Sequence, residues 1–234
     1  MTTSAVTTYS INRDALIKEA MQLIGALGEG VNPNSTQLTD AAITLNIMIK
    51  AWMAYGLELW TIVDDTVAMV ASTTSYTLGT GGVGITERPL KITNVYYRDS
   101  TNNDTSIFPM TRQEYKELSN KLTTGIPTQY YYDPQLDAGI IHLYPTPNAT
   151  AATYTLHVVY QSPLEDMTAA TDTFDFPQEW YEAVKYGLAH RLAPVYGLPY
   201  MERVMLKKDY EAILELALSW DSEQESIFFG VSSD

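Results

Sequence analysis

Helical periodicity at both ends of the chain, with strand-like alternation between them, constrains the fold more than any other feature. Apolar residues recur every three or four positions before residue 60 and again after residue 163, whereas Thr, Val and Tyr become frequent in between. An apolar helical stripe must be buried against another element. The pattern therefore predicts an α+β protein with a helical core formed by the N- and C-terminal helices and an inserted antiparallel β-rich lobe.

The N-terminal part predicts two helices that pack as a hairpin. The first is expected over 11–27, and the second begins at Asn34 or Ser35 and ends near Gly56. We therefore expect residues 1–60 to form the first half of the helical core.

The range 61–163 predicts the inserted lobe. Thr111 followed by Glu114 is a capping-box signature, which predicts one short helix near 111–121. Period-2 alternation and β-branched or aromatic residues predict six strands. These strands are 66–71, 75–78, 90–98, 128–133, 139–144 and 154–161.

Two of these strands alternate clearly between their faces. Ile141 and Leu143 lie on one face, with His142 on the other, and Val158 likewise faces away from Gln161. One face of each strand is therefore expected to pack on the core of the lobe.

Residues 164–234 are predicted to complete the helical core and to end in an extended tail from about residue 221. Pro177 suits the first position of one helix, and a last helix runs from about Tyr200 to Trp220. The apolar residues of the last helix include Val204, Met205, Ile213, Leu214, Leu216 and Ala217.

Helix packing is assigned to the large apolar residues of the stripes and to one glycine that permits close approach of another helix. The residues with this predicted role are Leu45, Trp52, Trp60, Trp180, Val184, Gly187 and Leu188.

The charge balance is strongly acidic, with 14 Lys or Arg against 28 Asp or Glu and a formal net charge of −14. Binding to nucleic acid needs clustered cations that neutralise phosphates, so this balance argues against a DNA-binding protein. An acidic wall would nevertheless let a duplex pass without adhering. The chain has no cysteine for a disulfide or thiolate site, and neither a signal peptide nor a transmembrane helix is predicted.

Two motifs that suggest chemistry have simpler interpretations, and no cofactor or metal is predicted. The sequence GTGGVG at 79–84 matches phosphate-loop patterns, but Ile85 replaces the expected lysine and Pro89 blocks a following helix. A flexible hairpin loop is expected there. The histidines lack metal-ligand spacing and are interpreted as polar positions on half-buried faces: His142, His157 and His190.

Carboxylates, tyrosines and the tail leave further interpretations open. Glu179 and Glu182 could form a glycosidase-like acid/base pair, but Lys185 offers Glu182 an ordinary ion pair. The tyrosine run at 130–132 either pairs across strands or forms a protein interface. An apolar cluster in the polar tail either binds a partner or folds back on its own core: Ile227, Phe228 and Phe229.

Several segments, in the same order along nearly the whole chain, resemble one family. LTDAAITLNIMIKAWMAYGLELW resembles its second helix, through Leu45, Asn46, Trp52 and the ending Gly-Leu-x-Leu-Trp. RPLKITNVYYRD, TRQEYKELSNKLTTGIPTQYYYDPQ, IIHLYPTP and FDFPQEWYEAVKYGLAHRLAPVYGLP match further segments. The family is that of the head-to-tail adaptors of short-tailed bacteriophages, also called tail accessory factors or packaged-DNA-stabilisation proteins.

The resemblance implies a non-enzymatic virion protein without cofactors. Such adaptors form a homo-oligomeric ring, expected to be a dodecamer, beneath the portal protein. The ring extends the DNA channel, helps retain packaged double-stranded DNA, which passes through the lumen without specific binding, and docks the next tail protein or nozzle. The chain would then lie at the head-tail junction of the virion after assembly in the host cytoplasm, with no membrane partner. The alternative functions are a cell-wall-degrading glycosidase and a carbohydrate-binding tail protein.

Overall fold

The computed structural model describes residues 9–54 and 59–220. Contacts divide the chain into two compact units. Residues up to Leu59 and from Leu164 onward form one unit, called the helical unit, and Trp60–Pro163 form the other, called the lobe. The chain combines helices with sheets that are mostly antiparallel, so the predicted α+β fold class is confirmed.

Helix α4 occupies the middle of the helical unit, because α1, α2 and α5 all pack against it. A fifth helix, α3, belongs to the lobe. The α-helices of the described residues are α1 (Arg13–Leu23), α2 (Ser35–Met53), α3 (Arg112–Glu117), α4 (Tyr181–Leu192) and α5 (Tyr200–Trp220).

Side-chain caps explain where the first three helices begin. The side chain of Asn12 accepts a backbone N–H bond in the first turn of α1. Asn34 and Gln37 form a reciprocal capping box at α2. Thr111 and Glu114 form the same arrangement at α3, which confirms the capping box predicted there. Each cap satisfies backbone N–H groups that have no partner inside the helix.

The helix bounds differ from the prediction in three described cases. Helix α3 ends at Glu117 rather than near residue 121, and α4 begins only at Tyr181, because a 3-10 turn at Gln178–Trp180 follows Pro177. Helix α1 stops at Leu23 rather than Leu27, because the chain turns there and Gly25 adopts a φ of +69°. A residue with a side chain rarely adopts this backbone conformation. Helix α2 ends at Met53, and the predicted end near Gly56 lies outside the described residues.

The lobe contains two four-stranded sheets, in the orders β1-β10-β3-β4 and β2-β8-β7-β5, and a two-stranded pair, β6-β9. Pairing is antiparallel except for β5 with β7 and β6 with β9. The strands are β1 (Ile62–Ala68), β2 (Ser75–Gly79), β3 (Lys91–Arg98), β4 (Asp104–Ser106), β5 (Phe108–Pro109), β6 (Thr124–Gly125), β7 (Gln129–Pro134), β8 (Ala138–Tyr144), β9 (Thr146–Pro147) and β10 (Thr155–Gln161).

Both four-stranded sheets contribute to one apolar core. Ile141 and Leu143 of β8 are buried and His142 is only half-buried, as the alternation predicts. In β10 the alternation holds through Tyr160 and ends at Gln161, which is buried as well, so the prediction that Gln161 faces away from Val158 and the core is wrong; the register with β3 shifts between Val159 and Tyr160. The fully buried residues of this core are Val67, Leu78, Ile85, Val95, Ile141, Leu156 and Val158.

Candidate interaction surfaces on the helical unit

Helix α5 uses only a narrow stripe to contact the rest of the helical unit. Ala217 is buried, whereas Leu206, Tyr210 and Ile213 are half-buried, and these residues recur every three or four positions. Most other residues of this helix, up to Ser219, are exposed. The helix therefore has a large surface that nothing in the described protein covers.

The opposite side of α5 carries large apolar residues. The side chains of Met201, Met205 and Leu216 are 66%, 65% and 62% exposed. Together with Lys208 and Ala212 they form a surface that we call the α5 outer face. Met201 and Ala212 lie nine residues before and two residues after Tyr210, which places both on the far side of the helix from it.

Helix α2 has a comparable surface. Ile43 and Ile47 are 54% and 58% exposed, although each lies only two residues from the fully buried Leu45. Two residues correspond to about 200° of rotation around an α-helix, so both side chains point away from the core. Thr36 and Asp40 are exposed on the same side, and these four residues form the α2 outer face. Clustered, exposed apolar residues typically mark an interaction site.

An aromatic stack holds α5 against α2 and α4. The ring of Tyr210 stacks on those of Trp52 and His190, with centroid distances of 6.4 Å and 5.9 Å and interplanar angles of 8° and 13°. The indole Nε1 of Trp52 also donates a hydrogen bond to the hydroxyl oxygen of Tyr210 at 3.0 Å. We call these three residues the Tyr210 stack.

Gly187 lets Tyr210 and Trp52 approach α4 closely. A Cβ atom at this position would lie 2.8 Å from Sδ of Met48, 3.0 Å from Cε2 of Tyr210 and 3.1 Å from Cζ2 of Trp52. Such distances are shorter than normal van der Waals contacts. The glycine therefore fills a place that a residue with a side chain could occupy only if its neighbours moved.

The helical unit brings together most of the residues for which sequence predicts helix packing. Five of them are buried there, with side chains at most 3% exposed: Leu45, Trp52, Trp180, Val184 and Leu188.

Two other predictions fall elsewhere. Trp60 lies beyond α2, in the 3-10 turn Leu59–Thr61 and within the lobe, so its role in helix packing stays a prediction. The proposed partner-binding residues Ile227, Phe228 and Phe229 lie outside the described residues.

The histidines take part in aromatic packing. Burial and the nearby cations Lys207 and Arg191 lower the pKa of His190 below its ordinary value. Burial also lowers the pKa of His142, which stacks on Tyr131 at 5.6 Å. Within residues 9–54 and 59–220, no three His, Asp or Glu residues are grouped so that they could hold a metal ion.

The third histidine, His157, is part of a small polar cluster on the lobe. Its Nδ1 lies 3.1 Å from Oδ1 of Asp64, and its ring stacks on Tyr96 at 4.5 Å. The hydroxyl of Tyr96 donates to Oδ2 of the same Asp64 at 2.6 Å and this bond raises the pKa of Tyr96 to about 12. These contacts stabilise the pairing of β1, β10 and β3.

Glu182 of α4 does not form the predicted ion pair with Lys185. Lys185 lies 3.6 Å from Oε2 of Glu19 in α1, so the expected pair with Glu182 is wrong. The packing of α1 on α4 brings Glu19 closer to the lysine. Glu179 and Glu182 are both exposed, and no Asp or Glu of the described residues is buried. A raised carboxyl pKa in a glycosidase acid requires burial or a close like charge.

The glycine-rich stretch forms a hydrogen-bonded loop after β2, and the expected hairpin is wrong because β2 and β3 belong to different sheets. The backbone N–H of Gly79 donates to the carbonyl of Ile85 at 3.0 Å, and Ile85 is fully buried. A Cβ atom at Gly84 would lie 2.3 Å from the carbonyl oxygen of Thr66. The next regular element is β3 rather than a helix, so the loop does not present the helix N-terminus that phosphate binding uses.

The tyrosine run belongs mainly to the packing of the lobe. Tyr130 and Tyr131 are buried, and Tyr131 lies opposite His142 in the pairing of β7 with β8. The hydroxyl of Tyr132 donates to the carbonyl of Pro89 at 2.6 Å. Of the two interpretations of this run, pairing across strands describes Tyr131 best.

In the described ranges, no helix combines the length and the apolar character needed to cross a membrane. Apolar faces left uncovered on two helices are typical of a structural protein that works through contacts with other proteins. A family model described as SU10 adaptor protein matches residues 11–226. The chain belongs to this family of phage head-to-tail adaptors, which confirms the resemblance seen in the sequence. No curated protein matches the chain.

Proposed function

We propose that copies of this chain assemble into a ring beneath the portal protein of a phage virion. The observation that carries the proposal is the pair of uncovered apolar faces on α2 and α5 of the helical unit. A subunit of a ring needs such surfaces for its neighbours. Membership of the adaptor family supports the same conclusion.

The ring is proposed to continue the DNA channel of the portal and to help retain the packaged DNA. The net charge of −14 supports a wall that repels phosphate and lets a duplex pass. Twelve copies are expected, since the resemblance to the adaptor family implies a dodecamer.

The ring also offers a docking surface for the next tail component. The tail residues 227–229 are the candidates for a partner contact, because aromatic side chains in a polar segment can anchor in a pocket of another protein. The virion head-tail junction is then the final location of the chain, after assembly in the host cytoplasm.

Electron microscopy of the chain mixed with portal rings of its own phage tests this function. We expect a mainly monomeric free chain and, after mixing, an added layer of density on one end of each portal ring. The chain without portal, and portal without the chain, are the controls. A chain that stays monomeric beside intact portal rings at micromolar concentration would contradict the proposal.

A further inference from the structure

The α2 and α5 outer faces match each other in spacing. On α2 the residues Ile47, Ile43, Asp40 and Thr36 are separated by four, three and four positions when read backwards. On α5 the residues Met201, Met205, Lys208 and Ala212 are separated by four, three and four positions when read forwards. This spacing forms the seam of two helices that cross at a shallow angle.

The match extends to chemical character. In an antiparallel alignment Ile47 meets Met201, Ile43 meets Met205, and Asp40 meets Lys208. Asp40 and Lys208 are both exposed, and neither forms an ion pair with another residue that the structure describes. Two apolar layers are thus followed by two opposite charges.

The last layer and the end of the seam also fit. Thr36 would meet Ala212, and the small side chain of Ala212 lets the two helices stay close. Glu215, one turn further along α5, would then lie near the N-terminus of α2. A negative charge is favourable at that end of a helix.

We propose that the α2 outer face of one copy packs antiparallel against the α5 outer face of the next copy. This inference rests on the proposed ring and names the contact between its neighbours. The contact joins two different faces, so each subunit uses its α2 outer face toward one neighbour and its α5 outer face toward the other. Repeating it produces a closed ring when the rotation between neighbours closes, whereas a contact between identical faces would stop at a dimer.

This proposed contact, which we call the seam, is small, and its size affects when it forms. It uses four residues from each copy, against the roughly 20–30 residues a side of a standard stable interface. A single contact of this kind is weak. The free chain therefore stays monomeric, and the seam forms when a portal ring holds neighbouring copies side by side.

Cysteine cross-linking tests the seam directly, because the chain has no cysteine of its own. We would prepare the single variants Ile43→Cys and Met205→Cys, mix them, add portal rings and treat the mixture with a short bismaleimide. The expected result is a covalent dimer in the mixture and none with either variant alone. A dimer from one variant alone would show that identical faces meet and would overturn the proposal.

A matched control pairs Ile43→Cys with Leu216→Cys. Both positions are exposed, but Leu216 lies 11 residues along α5 from Met205, which is about 16 Å along the helix axis. This control should not cross-link. If rings form on the portal but the 43–205 mixture gives no dimer, the seam is wrong and the ring stands. If no ring forms for the wild-type chain, the proposed function fails and the seam fails with it.

Charge exchange gives an independent test of the same register. The single variants Asp40→Lys and Lys208→Asp each place like charges together, and should raise the concentration needed for assembly on the portal by about tenfold or more. The double variant restores opposite charges and should return to within about threefold of the wild-type chain. Equal defects in the single and double variants would overturn the pairing. Circular dichroism of each variant establishes that it is folded.

Discussion

Replacing Gly187 by alanine should destabilise the helical unit, although alanine is the better helix former. In a helix interior, Gly→Ala usually gains about 1 kcal/mol. Here the new methyl group would meet Sδ of Met48 at 2.8 Å and the rings of Tyr210 and Trp52 at 3.0 and 3.1 Å. The methionine side chain can move aside, but the two rings are held by their stacking and by a shared hydrogen bond.

The balance of these two effects fixes the expected magnitude. Overpacking a well-packed site typically costs about 1–3 kcal/mol, and close contact with three side chains places Gly187 toward the upper part of that range. After the gain in helix propensity, a net loss of about 1 kcal/mol remains. For a chain of this size the melting temperature should fall by about 2–4 °C. Gly187→Val should lose more, because it adds two further methyl groups.

Thermal unfolding followed by the helical circular-dichroism signal measures the effect. Gly28→Ala is the matched control, because a Cβ atom there would meet only Cγ2 of Val31, at 3.7 Å. This control should stay within about 0.5 kcal/mol of the wild-type chain. A Gly187→Ala chain that melts at the wild-type temperature or above would refute the close-packing argument.

Three further predictions follow from the Tyr210 stack, the half-buried His190 and the tail. Tyr210→Phe keeps the ring but leaves the indole N–H of Trp52 without its acceptor, so we expect urea unfolding to show a loss of about 1–3 kcal/mol. Burial lowers the pKa of His190, so the unfolded chain binds more protons there, and the melting temperature should fall as pH is lowered from about 7 to 5. Deleting residues 227–234 should weaken assembly on portal rings, seen by sedimentation, and leave the circular-dichroism spectrum unchanged.

Each of these has a control and a result that would contradict it. The control for Tyr210→Phe is Tyr186→Phe, which also removes a hydroxyl and keeps the ring, but on the neighbouring helix α4. Equal losses of stability in both variants would argue against a specific role of Tyr210. For the pH effect, His190→Gln should flatten the melting curve against pH, and an unchanged slope would point to other groups. For the tail, Phe228→Ser with Phe229→Ser should reproduce the deletion, and full assembly by either variant would reject a docking role.

The sequence predicted the fold class because its strongest signals are local. The capping box at Thr111 and Glu114 needs only four residues, and the alternation around Ile141 needs one strand. Strands β4, β5, β6 and β9 were missed because each has two or three residues, which is too short to show a period. Strand β4 pairs with its neighbour β3, whereas β5 and β6 pair with strands more than 20 residues further along the chain, and both of those pairings are parallel rather than antiparallel.

The candidate surfaces were harder to predict for a different reason. In α5, Met205 and Leu216 are as apolar as Ile213, and periodicity alone does not say which of two stripes faces the core. The same holds for Ile43 and Ile47, which sit among buried residues of α2. Which side is covered depends on how the neighbouring helices pack, α4 against α5 and both α1 and α4 against α2. The ion pair of Lys185 with Glu19 was also missed, because it depends on the packing of α1 against α4, two helices far apart in the chain.

The base of the lobe has a consequence for how such proteins can change over time. Ile62 and Gln161 are direct partners across β1 and β10, and the N–H of Ser162 bonds to the carbonyl of Thr61 at 2.8 Å. The chain thus departs and returns at nearly one point, with paired Cα atoms about 5 Å apart. The residues between Ile62 and Gln161 could therefore be replaced by another module whose two ends are paired in the same way. They could also be shortened to a tight turn, and in neither case would the helical unit have to change. Recombination could therefore replace the lobe while the helical unit keeps its own contacts.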